Sequence, residues 1–264
     1  MDKFNESKKI FAESVGILRK NKKILFFPIL SVASSVVFFI FFIVLVFLFR
    51  LKKLDFMTSG AVSFFLLHLS LGFIWAFFQA GIVASVDASI RGITALFRDC
   101  LSRAFRNILK IFLWTLLSSI VVFVFSIVLQ HSSLAVKIGI YPASVLWGLA
   151  TAFIIPVLIL ENNSLWGSLK KSALSFRRVW VETFFVSIAA GIPFMFFIAL
   201  EGALFFAFFR LNLGLLPLVF LGVFLAVLLF FAAIVFASLV AILRTVLYMH
   251  ANALRQAEAN PAAE

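Results

Sequence analysis

The stretch from Ile24 to Phe49, ILFFPILSVASSVVFFIFFIVLVFLF, decides the fold. It holds no charged residue, and its serines and single proline are scattered among Phe, Ile, Leu and Val on every face. A helix that is apolar all round has no side to turn toward water. At a rise of about 1.5 Å per residue, about 20 residues cross a hydrocarbon layer of about 30 Å, and this run is longer. It reads as a transmembrane helix.

Five more runs share that character. Phe56 to Val86 contains no Asp, Glu, Lys or Arg and one histidine, His68. Ile111 to Gln130, and Ile138 to Leu160 with Pro142 and Pro156, follow. Then come Thr183 to Leu200, continuing past Glu201 to Phe209, and Leu211 to Leu243. Their unbroken apolarity excludes a transmembrane barrel, whose strands alternate between lipid and lumen. Composition agrees: 64% of the 264 residues are hydrophobic and 13% charged, against about half and a quarter in soluble domains. The 37 phenylalanines against two tyrosines favour hydrocarbon contact over a wet interface. The expected fold is an all-α integral membrane protein with six transmembrane helices arranged as three hairpins.

Basic residues give an orientation. Lys3, Lys8, Lys9, Arg19, Lys20, Lys22 and Lys23 precede the first span. Arg91, Arg98, Arg103, Arg106 and Lys110 lie between the second and third, and Lys170, Lys171, Arg177 and Arg178 between the fourth and fifth. Arg244 and Arg255 follow the last, while the opposite side has only Arg50, Lys52, Lys53, Lys137 and Arg210. The positive-inside rule then places both termini in the cytoplasm, in a plasma membrane of the bacterial inner-membrane type. The net charge of +12 belongs to this flanking pattern and not to a nucleic-acid module, of which no motif is present. Cys100 is alone, so no intrachain disulfide forms.

Each basic segment on that side has helical amphipathicity. Phe4, Phe11, Val15 and Leu18 share a face against Lys8, Lys9, Glu13 and Arg19. Ile93, Leu96, Phe97, Cys100, Leu101, Ala104, Phe105 and Ile108 recur at three- and four-residue steps, with Arg98, Arg103 and Arg106 opposite. Leu165, Leu169, Ala173, Phe176 and Trp180 oppose Lys170, Lys171, Arg177 and Arg178. A basic amphipathic helix at headgroup level is expected before each hairpin, its cations meeting anionic lipid. The resulting units, 1–86, 87–160 and 161–250, either descend from a repeat or reflect how any basic loop enters a membrane. Their junctions align Ser14, Leu101 and Ser172. Residues 251–264 are expected to form a disordered tail.

Ionisable residues inside spans mark function by default. Glu201 is one candidate, for ion coupling or as a carboxylate at the outer interface near Arg210. His68, Trp75 and Gln79, seven and eleven residues apart from the first, share one face of the second span. They form either the polar wall of a solute path or hydrogen bonds between helices. Asp87 and Glu161 each end a return span and can pair locally with Arg91 or Lys170, or with each other as catalytic carboxylates if hairpins bring them together. Cys100 reads as an inert apolar-face thiol or as one activated by Arg98 and Arg103. His131 and His250 fall on opposite sides of the membrane, so no metal site or cofactor is expected. Gly222, Ala226, Ala233, Ala237 and Ala241 form a small-residue ladder for close helix packing, within the bundle or between copies or partner proteins.

The stretch from Ser14 to Ser31, SVGILRKNKKILFFPILS, resembles the opening of a family of uncharacterised six-pass prokaryotic membrane proteins. Phe153 to Glu161, followed by Ser168-Leu-Lys-Lys-Ser-Ala, is similar to that family's fourth span and exit. The likeness covers Phe11 to about Glu201 and implies the same six-helix layout, with no catalytic residue to carry over. A looser resemblance to the membrane domains of some glycerophosphodiesterases implies lipid-related biology. The expected function is non-enzymatic organisation of lipid or partner proteins. The alternatives are a transporter or channel for a neutral or hydrophobic solute and, lacking a convincing catalytic pair, an intramembrane enzyme.

Overall fold

In lipid every backbone N–H and C=O must be satisfied within the chain, so apolar runs of this length become helices. The computed structural model describes residues 2–51, 60–93, 96–131, 133–161, 163–211 and 214–259. Among them there are helices and no strand. In chain order they are α1 (Asp2–Lys20), a 3₁₀ turn (Lys22–Leu25), α2 (Phe26–Leu51), α3 (Gly60–Ile90), α4 (Phe97–Arg106) and α5 (Ile108–His131). Then follow α6 (Leu134–Ala150), α7 (Ile154–Leu160), α8 (Leu165–Arg178), α9 (Trp180–Arg210) and α10 (Leu215–Ala259). Six segments are long and apolar enough to span a membrane: Lys22–Arg50, Gly60–Ile90, Ile108–Gln130, Val136–Leu160, Trp180–Arg210 and Leu216–Glu258.

Two boundaries differ from the sequence expectation. The fourth span is two helices, α6 and α7, separated at Thr151–Phe153. Pro156 has no N–H for the carbonyl of Ala152, which removes a helical bond where the chain breaks. The break also leaves the amide of Phe153 without a helical carbonyl, and it donates to Ser172 Oγ at 3.1 Å. The second difference is α10, helical to Ala259 where disorder from residue 251 was expected. Its last turns are held by neighbours: Ala251 is buried, Glu258 pairs with Arg178 of α8 at 3.0 Å, and His250 approaches Glu6 of α1. Residues 260–264 lie outside the described residues.

The core sits at the end of the bundle that carries α1, α4 and α8. There α3 is buried without interruption from Ala80 to Asp87. Such depth requires small residues: a Cβ on Gly81 would stand 2.3 Å from Phe27 Cε1. The Phe27 ring is held against Phe97 of α4 with centroids 4.6 Å apart. At the far end the helices keep mostly exposed Phe, Leu, Ile and Val, as on α2 and the outer parts of α9 and α10.

Each short basic helix meets its span through a one-residue break, at Asn21, Asn107 and Val179. Counting back seven residues from each break reaches Ser14, Cys100 and Ser172, all buried. The equivalent in the middle unit is therefore Cys100, one residue before the Leu101 aligned from sequence. These helices turn small residues inward, joined on α1 by two isoleucines. Ser7, Ile10, Ser14 and Ile17 of α1, Cys100 and Ala104 of α4, and Ser168, Ser172 and Ser175 of α8 are buried. Bulky neighbours such as Phe11, Leu18, Leu101, Leu165, Leu169 and Phe176 flank them against the core. Phe4, Ile93, Leu96, Phe105 and Trp180, assigned to apolar faces from sequence, are exposed.

Candidate binding cavity

His68, Trp75 and Gln79 come together with groups from four other helices around a cavity of about 320 Å³. The α3 face also contributes Gly72, Ala76 and Val83. Opposite stand Trp114, Thr115, Ser118, Ser119 and Val122 of α5, and Trp114 stacks on Trp147 of α6 at 6.0 Å. The break in the fourth span supplies Thr151 and Ala152, and α10 supplies Ala241 and Arg244. From His68 to Val83 the wall follows α3 for about 22 Å at the helical rise. Irregular backbone at membrane depth is tolerated where it is buried in protein or lines a cavity, and the Thr151–Phe153 break does both.

The hydroxyls of Thr115 and Thr151 donate to carbonyls of their own helices, Phe112 O at 2.9 Å and Trp147 O at 2.8 Å. Arg244 is different. Sequence placed it in the tail as the first charge past the last span, yet α10 carries it inside the bundle, onto the cavity wall. Among the described residues it has neither an ion pair nor a hydrogen bond from its side chain.

Glu201 is absent from this cavity. It is buried on α9 with Oε1 unpartnered, and Arg210 lies instead over the Phe206 ring at 5.5 Å. The small-residue ladder divides between environments. Ala241 faces the cavity, and Ala237 faces a smaller space of about 80 Å³ beside Pro28, Ser31, Trp75 and Gln79. Gly222 faces Phe205 of α9, Ala233 is half-buried and Ala226 is exposed.

Charged side chains at the core end form two networks. Asp87 receives Arg91 Nε at 2.9 Å and Arg103 Nη1 at 2.5 Å, and Arg103 Nη2 reaches Ile159 O at 3.3 Å. Glu161 takes Lys171, where Lys170 was expected, and accepts from the Tyr248 hydroxyl and from Asn163 Nδ2 at 2.7 Å. Among the described residues each carboxylate is bound to its own cations and donors, and the two share no hydrogen bond. Lys3 meets buried Glu182 at 3.4 Å. Of the ten cations assigned to lipid, Arg103, Lys171 and Arg178 are thus committed to internal pairs. Lys8, Lys9, Arg19, Arg98, Arg106, Lys170 and Arg177 are exposed. Burial pushes the Cys100 thiol above its ordinary value and Asp99 adds to this, while a hydrogen bond with Ser85 and the charge of Arg103 oppose it. No three of His, Cys, Asp and Glu among the described residues gather as a metal site.

No family model matches the chain, and comparison with curated proteins and with solved structures finds no match.

Proposed function

We propose that this chain is a non-enzymatic, multi-pass protein of the bacterial inner membrane, with cytoplasmic termini, that gathers anionic lipid around its basic end. The observation carrying this reading is the outer surface of the three short helices. Trp166 is 77% exposed and Leu96 61% exposed, close in sequence to exposed Lys170 and Arg98. Bulky apolar groups beside cations, on helices already anchored by small residues, suit the headgroup–acyl boundary. Each cation near an anionic surface contributes about 1 kcal/mol. Purified protein in mixed micelles is expected to retain phosphatidylglycerol over phosphatidylcholine, with the preference falling as salt rises. Equal retention at low salt would sink the reading. Impermeant thiol labelling of Arg50→Cys and Lys170→Cys in spheroplasts tests the orientation, which needs label at the first position alone.

The cavity favours a second reading, a transporter or channel, and supports a solute path along His68, Trp75 and Gln79. A volume of about 320 Å³ lies within the range of small-molecule sites. Ser118→Cys should react with a small water-soluble methanethiosulfonate if the path admits water. A silent thiol there, beside a reactive Lys170→Cys control, would show the path closed to water and count against this reading.

A further inference from the structure

Arg244 presents an energetic problem that the rest of the molecule does not solve. An ionised guanidinium away from water is costly unless paired, and intramembrane arginines take partners or face cavities. Among the described acids, Asp87 pairs with Arg91 and Arg103, Glu161 with Lys171, Glu182 with Lys3 through one oxygen and Glu258 with Arg178. Glu6 approaches His250 and Asp99 accepts the Leu96 amide; none of these, nor Glu13, lines the cavity. Glu201 has a free oxygen but lies far off. The Phe194 ring stacks on Phe236 at 4.4 Å, which sets Glu201 opposite α10 some 15 residues, or about 22 Å, from Arg244. Ser118 and Ser119 share the cavity with Arg244, have no side-chain hydrogen bond among the described residues, and can donate.

We propose that the cavity is an anion site in which Arg244 receives the phosphate group of a ligand, with the Ser118 and Ser119 hydroxyls completing the cradle. The planar guanidinium fork matches phosphate oxygens two at a time. The Trp114 and Val83 walls suit an apolar remainder of the ligand. The inference rests on the cavity holding a solute, as in the second reading above, and replaces a neutral solute with a phosphorylated one. It takes nothing from lipid binding at the basic end.

The test is thermal unfolding of the full chain in neutral detergent with three probes: inorganic phosphate, dioctanoyl phosphatidic acid and dioctanoylglycerol. A phosphate-bearing probe well above its dissociation constant should raise the midpoint by at least about 2–4 °C. That rise should vanish in Arg244→Gln and persist in a Lys8→Gln, Lys9→Gln, Arg98→Gln, Lys170→Gln variant. A response to phosphatidic acid alone identifies a lipid source, and a response to inorganic phosphate a soluble one; either supports the site. Stabilisation by dioctanoylglycerol equal in wild type and Arg244→Gln, with no phosphate effect, overturns the anion site while leaving a solute cavity standing. No response to any probe overturns the anion site. Should Arg244→Gln fail to fold, Ser119→Asp supplies an internal counter-ion. It should melt higher than wild type without ligand and lose the phosphate response, and a wild-type response in that variant overturns the proposal.

Discussion

Arg103 on α4 joins two spans at once: one guanidinium nitrogen holds Asp87 at the end of α3 at 2.5 Å, and the other reaches the carbonyl of Ile159 in α7 at 3.3 Å. Asp87 is buried and Arg103 partly so, so the contact is shielded from the salt that weakens surface pairs. The carbonyl is one that α7, ending at Leu160, leaves without a helical partner. The short helix is thus a clamp between the second and fourth spans.

Arg103→Met is therefore expected to destabilise the bundle by about 2–3 kcal/mol, because Asp87 stays buried with only the more exposed Arg91 to face it. Asp87→Asn alone should cost a similar amount, and the double variant less than the sum of the two. Denaturation in mild detergent measures all three. Strict additivity would show that the pair carries no coupling.

The break in the fourth span gives a second expectation. Phe153 N and Ser172 Oγ are both fully buried, and their bond replaces one that the helix cannot make. Ser172→Ala leaves that amide unpaired, at a cost of about 1–3 kcal/mol. Ser168→Ala, equally buried but bonded only back to Ser164 O within its own segment, should cost less. Comparing their melting temperatures isolates the break, and equal losses would remove its special role.

The six spans are legible in the sequence because lipid imposes one rule on every residue between Ile24 and Phe49, and a local run suffices to see it. What sets the interior is not local. Arg244 looks like the first tail residue because a charge after Leu243 is the usual sign of a boundary. Only the cavity that α3, α5 and α7 share with α10 makes that position interior. The break at Thr151–Phe153 had a signal in Pro156, but proline at a span end is also common, and the serine that accepts the freed Phe153 amide lies on another helix. His68, Trp75 and Gln79 were legible as a face because one helix repeats every 3.6 residues. The hydroxyls opposite them, on α5, were not. On the short helices the sequence showed an apolar face but not its centre: close helix approach selects Ser14, Cys100 and Ser172, with Phe11, Leu101 and Phe176 flanking them and Phe105 and Trp180 outside.

Gly81 tests how tightly that close approach is set. Its φ is ordinary, so space alone excludes a side chain: Phe27 Cε1 would lie 2.3 Å from an added Cβ, and Phe27 is itself wedged by Phe97. Gly81→Ala should cost about 1–3 kcal/mol through overpacking. Gly72→Ala on the same helix has open space around its Cβ and should be neutral or slightly stabilising. If thermal unfolding ranks them the other way, α2 and α3 are not in contact at Phe27.

Cys100 supplies a pH test. Burial is the largest influence on its thiol and favours the neutral form, so its folded value lies above the ordinary 9.0. The sign follows from linkage: the folded state binds the proton more tightly than the unfolded one. Stability from this group is complete below the ordinary value and is lost as pH rises toward the folded value. The melting temperature of wild type should therefore fall above about pH 9, and Cys100→Ala should show a shallower fall over the same range. At neutral pH the native thiol should react with iodoacetamide far more slowly than an exposed cysteine placed at Lys170. Rapid alkylation of Cys100 in the folded protein would mean that α4 does not hold its small face against α3.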